Sequence, residues 1–156
     1  MEALIVTSRA FSEGSPIHAA YTCDGEDISP ELAWAGTPPE TISIAVILED
    51  PDAPGGVFIH WVLYNLPREI AGLMAGVSKG TPLSDGSGQG VNSFGHSWYS
   101  GPCPPKGQRH HYFFRVFALD QKVMIQGSMT AGALRSAMEG HILAEGHLMG
   151  TYRRGG

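Results

Sequence analysis

The chain has 156 residues, 42% of them hydrophobic and 16% charged, with a formal net charge of −5. That length fits one domain spanning residues 1–156, able to bury roughly 68 to 70% of its unfolded surface, and the composition excludes a disordered chain. The acidic balance excludes the clustered Lys and Arg that nucleic acid or an acidic membrane surface would reward, so neither partner is expected.

Twenty-one Gly and eleven Pro demand many turns, which suits a mostly β domain. The N-terminus, Met1 to Thr7, has no basic region and only a short apolar run. It reads as neither signal peptide nor membrane anchor, and a cytoplasmic location is the expectation. Leu4-Ile5-Val6-Thr7 reads as an opening strand, Tyr21-Thr22 as part of another, and Glu31-Leu32-Ala33-Trp34 as a weaker one. Residues 42–50 form the clearest strand, with Ile44, Val46, Leu48 and Asp50 on one face by period two. Phe58 to Leu66 is apolar on both faces, as a central strand between two layers would be, with His60 and Asn65 as exceptions.

Residues 76–98 carry Gly at 76, 80, 86, 88, 90 and 95 without periodicity and read as one long loop. A loop that long is either a mobile surface segment or a pocket wall. Arg109 to Leu119 is a third strong strand, which places His110 and Tyr112 on one face and His111 on the other. Thr130 offers an N-cap before Ala133, Leu134, Ala137, Met138 and His141, the one convincing helical stripe. Gly146 to Tyr152 reads as a short last strand and residues 153–156 as a frayed end.

Cys23 and Cys103 stand 80 residues apart with no CxxC partner. Two free thiols are the expectation in a reducing cytosol, and a disulfide tying Cys23 to the second Pro-rich segment is the alternative.

Two stiff segments lead into His-bearing strands: Asp50-Pro51-Asp52-Ala53-Pro54-Gly55-Gly56 before His60, and Gly101-Pro102-Cys103-Pro104-Pro105 before His110. Each Pro restricts the residue before it, so the backbone is ordered before any ligand arrives. Together they describe a small-anion pocket. An aspartate beside His60 or His110 would favour imidazolium, a donor suited to phosphate oxygens, and affinity would then fall as pH rises through the imidazole range. Tyr112 adds a donor and Gly101 lets an anion approach backbone N–H groups. His60 reads alternatively as a hydrogen-bonded core residue, and His111 as structural. A metal at Asp50, Asp52, His60 and His110 competes, but no HExxH or HxH spacing supports it. Hydrolase chemistry would nominate Ser97 or Cys103, yet there is no GxSxG elbow, P-loop or dinucleotide fingerprint, and no cofactor is expected.

Several ordered motifs run nearly the whole chain: Tyr21-Thr22-Cys23-Asp24-Gly25-Glu26-Asp27-Ile28-Ser29-Pro30, the Asp50 to Pro54 run, His60 to Pro67, Gly101 to Pro105, the His110 to Tyr112 strand, and Glu139 to Ala144 followed by Gly150-Thr151-Tyr152. In these the chain resembles the phosphatidylethanolamine-binding protein family, also called Raf kinase inhibitor-like, in its short bacterial and archaeal branch. The resemblance implies a β-sandwich with few helices and a pocket for phosphate or phosphorylated head groups at Asp50, Pro54, His60, Gly101, His110 and Tyr112. Asp52 would hold the loop.

Relatives with an HRY triplet have Arg where this chain has His111. The longer animal proteins carry a C-terminal helix over the pocket, so this chain should have a more open site with less lipid specificity. The leading expectation is a non-enzymatic binding or regulatory protein, with a kinase pathway as the partner that relatives suggest. Serine protease inhibition through an exposed loop and hydrolysis by the Asp/His pocket are the alternatives. Relatives also form homodimers.

Overall fold

The eight residues of Ser43–Asp50 are all buried, because both faces of this strand carry apolar side chains and both are covered. In the computed structural model, which describes residues 2–124 and 127–155, this strand is the fourth of nine. They are β1 (Glu2–Ala3), β2 (Ile5–Thr7), β3 (Leu32–Ala35), β4 (Ser43–Asp50), β5 (Phe58–Pro67), β6 (Gly72–Leu73), β7 (Gly88–Gln89), β8 (Arg109–Leu119) and β9 (Ile142–Arg153). One helix, α1 (Ala131–Met138), precedes β9, and a single 3-10 turn covers Ala19–Tyr21.

Six strands form one sheet in the order β1-β9-β8-β4-β5-β7, and β2-β3-β6 form a second. Only β1 runs parallel to its neighbour, β9. The large sheet has apolar side chains on both faces and therefore two cores. On one face Ile44, Val46, Leu48, Tyr112, Phe114 and Val116 pack with Val6, Leu32 and Trp34 of the small sheet. On the other, Ala45, Ile47, Val62 and Phe117 pack under Leu134 and Met138 of α1. The mostly β fold with one helix near the C-terminus is as the sequence implies.

Several local expectations need correction. Tyr21 lies in the 3-10 turn, whose first free amide, Ala20 N–H, donates to His18 Nδ1 at 3.0 Å. The opening strand is two pieces, because the chain leaves the large sheet for the small one at Leu4, whose N–H still donates to the Glu145 carbonyl. Thr130 caps α1 as its hydroxyl accepts from Ala133 N–H, but the helix ends at Met138. Gly140, at φ +82°, then turns the chain, and His141 pairs with Asp120 instead of continuing the stripe.

The last strand runs twelve residues, since β9 pairs with β8 along its length. Nor is 76–98 structureless. Within it, β7 pairs with β5, and the buried Gln89 accepts from Trp61 Nε1 at 2.7 Å while donating to the Ser78 and Gly80 carbonyls.

The two cysteines are bridged, not free. The 22–27 turn and the Pro-rich segment lie side by side, with Cys23 N–H donating to the Pro102 carbonyl, and this adjacency brings the sulfurs together.

Two β-bulges interrupt the β4-β5 pairing. At one, Asn65 adopts φ +58° and its side chain hydrogen-bonds the Val123 backbone in both directions, which accounts for a polar residue in a buried strand. The other separates the Leu48↔Trp61 pair from Glu49↔Ile59 and leaves His60 as the extra residue. Strict alternation would put His60 and Trp61 on opposite faces. The bulge turns both to the small-sheet side, where Trp61 joins the core and His60 packs on Tyr112.

Candidate functional site

At the end of that face, where β4, β5 and β8 stop, lies a cavity of about 320 Å³. Asp50, His60, His110 and Arg154 supply its polar lining, and Ala53, Pro54, Phe58, Phe94, Pro104 and Pro105 form apolar walls. Phe94 comes from the 76–98 segment, which therefore is a pocket wall. Asn92 fixes that wall to β5 by donating from Nδ2 to the His60 carbonyl at 3.0 Å.

Asp50 and His110 are both buried and meet directly, with Asp50 Oδ2 2.7 Å from His110 Nδ1. The other oxygen of Asp50 accepts from Asp52 N–H at 2.8 Å, an Asx turn that opens the Pro-rich run. His110 Nε2 stands 3.1 Å from Gln108 Oε1.

His60 behaves differently. Its Nδ1 is 2.7 Å from the Ser100 carbonyl and must donate there, which leaves Nε2 of the neutral ring as an acceptor. Aromatic rings enclose it, with Phe58, Phe94 and Tyr112 all within 5.5 Å between centroids. Burial lowers its pKa below the ordinary 6.5, despite the Ser100 carbonyl and the Asp50 charge acting the other way. The imidazolium expected at His60 is thus corrected: desolvation outweighs the nearby aspartate, and the ring is neutral at neutral pH.

Tyr112 shares the face of His110, as alternation requires, but it stands behind the cavity wall and is fully buried. Its hydroxyl lies near Asp50 without completing a hydrogen bond to the protein, and burial followed by the Asp50 charge holds its pKa far above the usual phenol value. It stays a donor.

Gly101 does not present its amide to the cavity, because that N–H donates to Asp27 Oδ1 at 2.7 Å. Its role is close approach: a Cβ there would sit 2.1 Å from the Tyr21 carbonyl. His111 points away, and its ring and backbone N–H both bind Asp52, whose carboxyl these hydrogen bonds hold below its usual range. Asp52 therefore holds the loop. Among the described residues no three His, Cys, Asp or Glu side chains are gathered as a metal would need.

Three participants escaped the sequence reading. Gln108 reaches His110, Phe94 covers His60, and Arg154 lines the cavity. Arg154 belongs to the end that the sequence reads as frayed, yet its Nε is 3.2 Å from Asp24 Oδ1. Alternation could have found it, since Tyr152 pairs across from His110 and Arg154 follows two residues later on the same side.

A family model for phosphatidylethanolamine-binding protein matches residues 7–153. The chain belongs to the phosphatidylethanolamine-binding protein family. Within it, the chain is 47% identical over 148 residues to a UPF0098 protein of Methanothermobacter thermautotrophicus, covering 95% of this chain and 97% of that one. A UPF0098 protein of Aquifex aeolicus is 44% identical over 154 residues, with 96% and 88% covered. Among solved structures, a putative phosphatidylethanolamine-binding protein homologue from Chlamydia trachomatis superposes with a TM-score of 0.88 at 39% identity, over 99% of both chains. E. coli YbcL, a member of the mammalian phosphatidylethanolamine-binding protein family, gives 0.89 at 32% identity, over 96% of this chain and 98% of its own.

Proposed function

We propose that this family member is a non-catalytic binding protein whose pocket takes phosphate or a phosphorylated head group. The observation that carries the reading is the convergence of His110, His60 and Arg154 on one cavity walled by prolines and phenylalanines. His110 has its Nδ1 side anchored on Asp50, so it is oriented before a ligand arrives. Pre-ordering matters because phosphate has only five heavy atoms. At about −1.5 kcal/mol per atom its ceiling is roughly −7.5 kcal/mol, near micromolar.

Among the described residues no hydroxyl or free thiol lines the cavity, which favours binding over Ser- or Cys-type turnover. Cys103 lines the cavity, but its sulfur is spent in the disulfide. The Asp50-His110 pair could orient a base but has no hydroxyl or thiol of this chain lining the cavity to act on.

A phosphate titration followed by amide and imidazole NMR tests the reading. We expect shifts confined to residues around His60, His110 and Arg154, and their loss in His110→Ala. Shifts elsewhere, or a His110→Ala protein that binds as well as the parent, would contradict it.

A further inference from the structure

Both ring nitrogens of His110 are taken by the protein. Nδ1 faces Asp50 Oδ2 at 2.7 Å, and Nε2 faces the Gln108 carboxamide at 3.1 Å. The second contact does not depend on how the carboxamide is turned, since either its oxygen accepts from a ring N–H or its nitrogen donates to a ring lone pair. A ligand that uses His110, as the binding function requires, therefore finds no free nitrogen while Gln108 is in place.

The two contacts are unequal. Asp50 and His110 are 3% and 4% exposed, so their pair is shielded from water, and it joins the buried end of β4 to the start of β8. The Gln108 side chain is exposed. An exposed hydrogen bond competes with water, and holding a long side chain in one rotamer costs entropy. His110 is already oriented through Nδ1, so the contact with Gln108 adds little to its placement. Its effect is to cover Nε2.

The backbone fixes where Gln108 starts and leaves its side chain free to turn. Pro105 to Gln108 form a turn closed by Gln108 N–H donating to the Pro105 carbonyl at 3.0 Å, with Gly107 at φ +84° in the position that calls for a left-handed residue. Arg154 N–H donates to the Gln108 carbonyl at 3.3 Å, which continues the β8-β9 ladder one pair beyond Arg109↔Arg153. Gln108 thus stands opposite Arg154, which lines the cavity, and by alternation on the same side as His110. Its carboxamide can swing out to water by rotation of the side chain alone.

Resting on the binding function proposed above, we infer that Gln108 is a latch on the pocket: its carboxamide holds His110 Nε2, and an anion gains His110 only by displacing it. Affinity is lowered by the worth of one exposed hydrogen bond, which makes residue 108 a determinant of how tightly this chain binds.

The test uses the full chain and inorganic phosphate as the probe, titrated by NMR with the glutamine side-chain amides and the histidine rings in view. In the parent, the Gln108 amide pair should move toward the position of a free glutamine as the His110 ring responds, with the same phosphate midpoint. Gln108→Ala should bind about 2- to 10-fold more tightly, the range of one net hydrogen bond. Before any phosphate is added, the same variant should shift the ring nitrogens of His110 and leave those of His60 in place. Gln108→Met, which keeps the length and loses the amide, should bind like the Ala variant.

A Gln108→Ala protein that binds no more tightly than the parent would overturn the latch, and one that binds less tightly would make Gln108 a ligand contact or a support for His110 instead. A Met variant as weak as the parent would overturn it too, because bulk and not the hydrogen bond would then stand in the way. In each of these cases binding at His110 survives. Binding seen only in the variants would be the latch in its strongest form. Phosphate that moves no His110 signal in the parent or in either variant would overturn the latch together with the binding function.

Discussion

His60 and His110 sit in one cavity and are buried to a similar degree, yet their surroundings give them different work. Asp50 faces His110 at hydrogen-bond distance, and a carbonyl faces His60. At His60 desolvation outweighs both the Ser100 carbonyl and the Asp50 charge, which is why its pKa falls. A folded-state value below the unfolded one means that the unfolded chain takes up the proton first. The stability His60 contributes is therefore complete above about pH 6.5 and is lost as pH falls through that value toward the folded pKa. We expect urea midpoints to decline from pH 7.5 to 5, and the decline to be shallower in His60→Gln. Parallel pH profiles for the two proteins would show that His60 is not the group responsible.

At the scale of elements, the sequence revealed what periodicity controls and concealed what long-range contact controls. The bounds of β8, the N-cap at Thr130 and the shared face of His110 and Tyr112 were all legible, because each depends on neighbours within a few residues. The bulge at His60 was not, since it exists only against β4. Nor was the order in 76–98, where the polar Gln89, Asn92 and Ser87 look like loop residues but are buried by bonds to β5 and to one another's turns. Asp24 and Arg154 lie 130 positions apart, beyond any local pattern.

The disulfide belongs to the same class. It closes an 80-residue separation, for which the chain-entropy relation gives about 4 kcal/mol. Since it also joins the Asp24 turn to the cavity wall, full reduction should lower the melting temperature by roughly 10 °C and weaken phosphate binding together. An unchanged melting temperature with and without reductant would mean that the Cys23-Pro102 backbone bond and its surroundings hold the two segments unaided.

For the whole molecule, the arrangement is a large sheet covered on one side by a small sheet and on the other by α1, with the pocket at the rim where the first core ends. The net charge of −5 gives no general attraction for anions, so any phosphate affinity has to come from local geometry. A larger groove of about 590 Å³ on the opposite face has Arg115 and Arg135, but both guanidiniums are engaged by Glu49. The two locations make a direct contest. A crystal of this protein soaked with phosphoethanolamine should show the phosphate group between His60, His110 and Arg154, with the Arg115-Arg135 groove unaltered. A phosphate seated on Arg115 and Arg135, with nothing beside His110, would contradict the account at its centre.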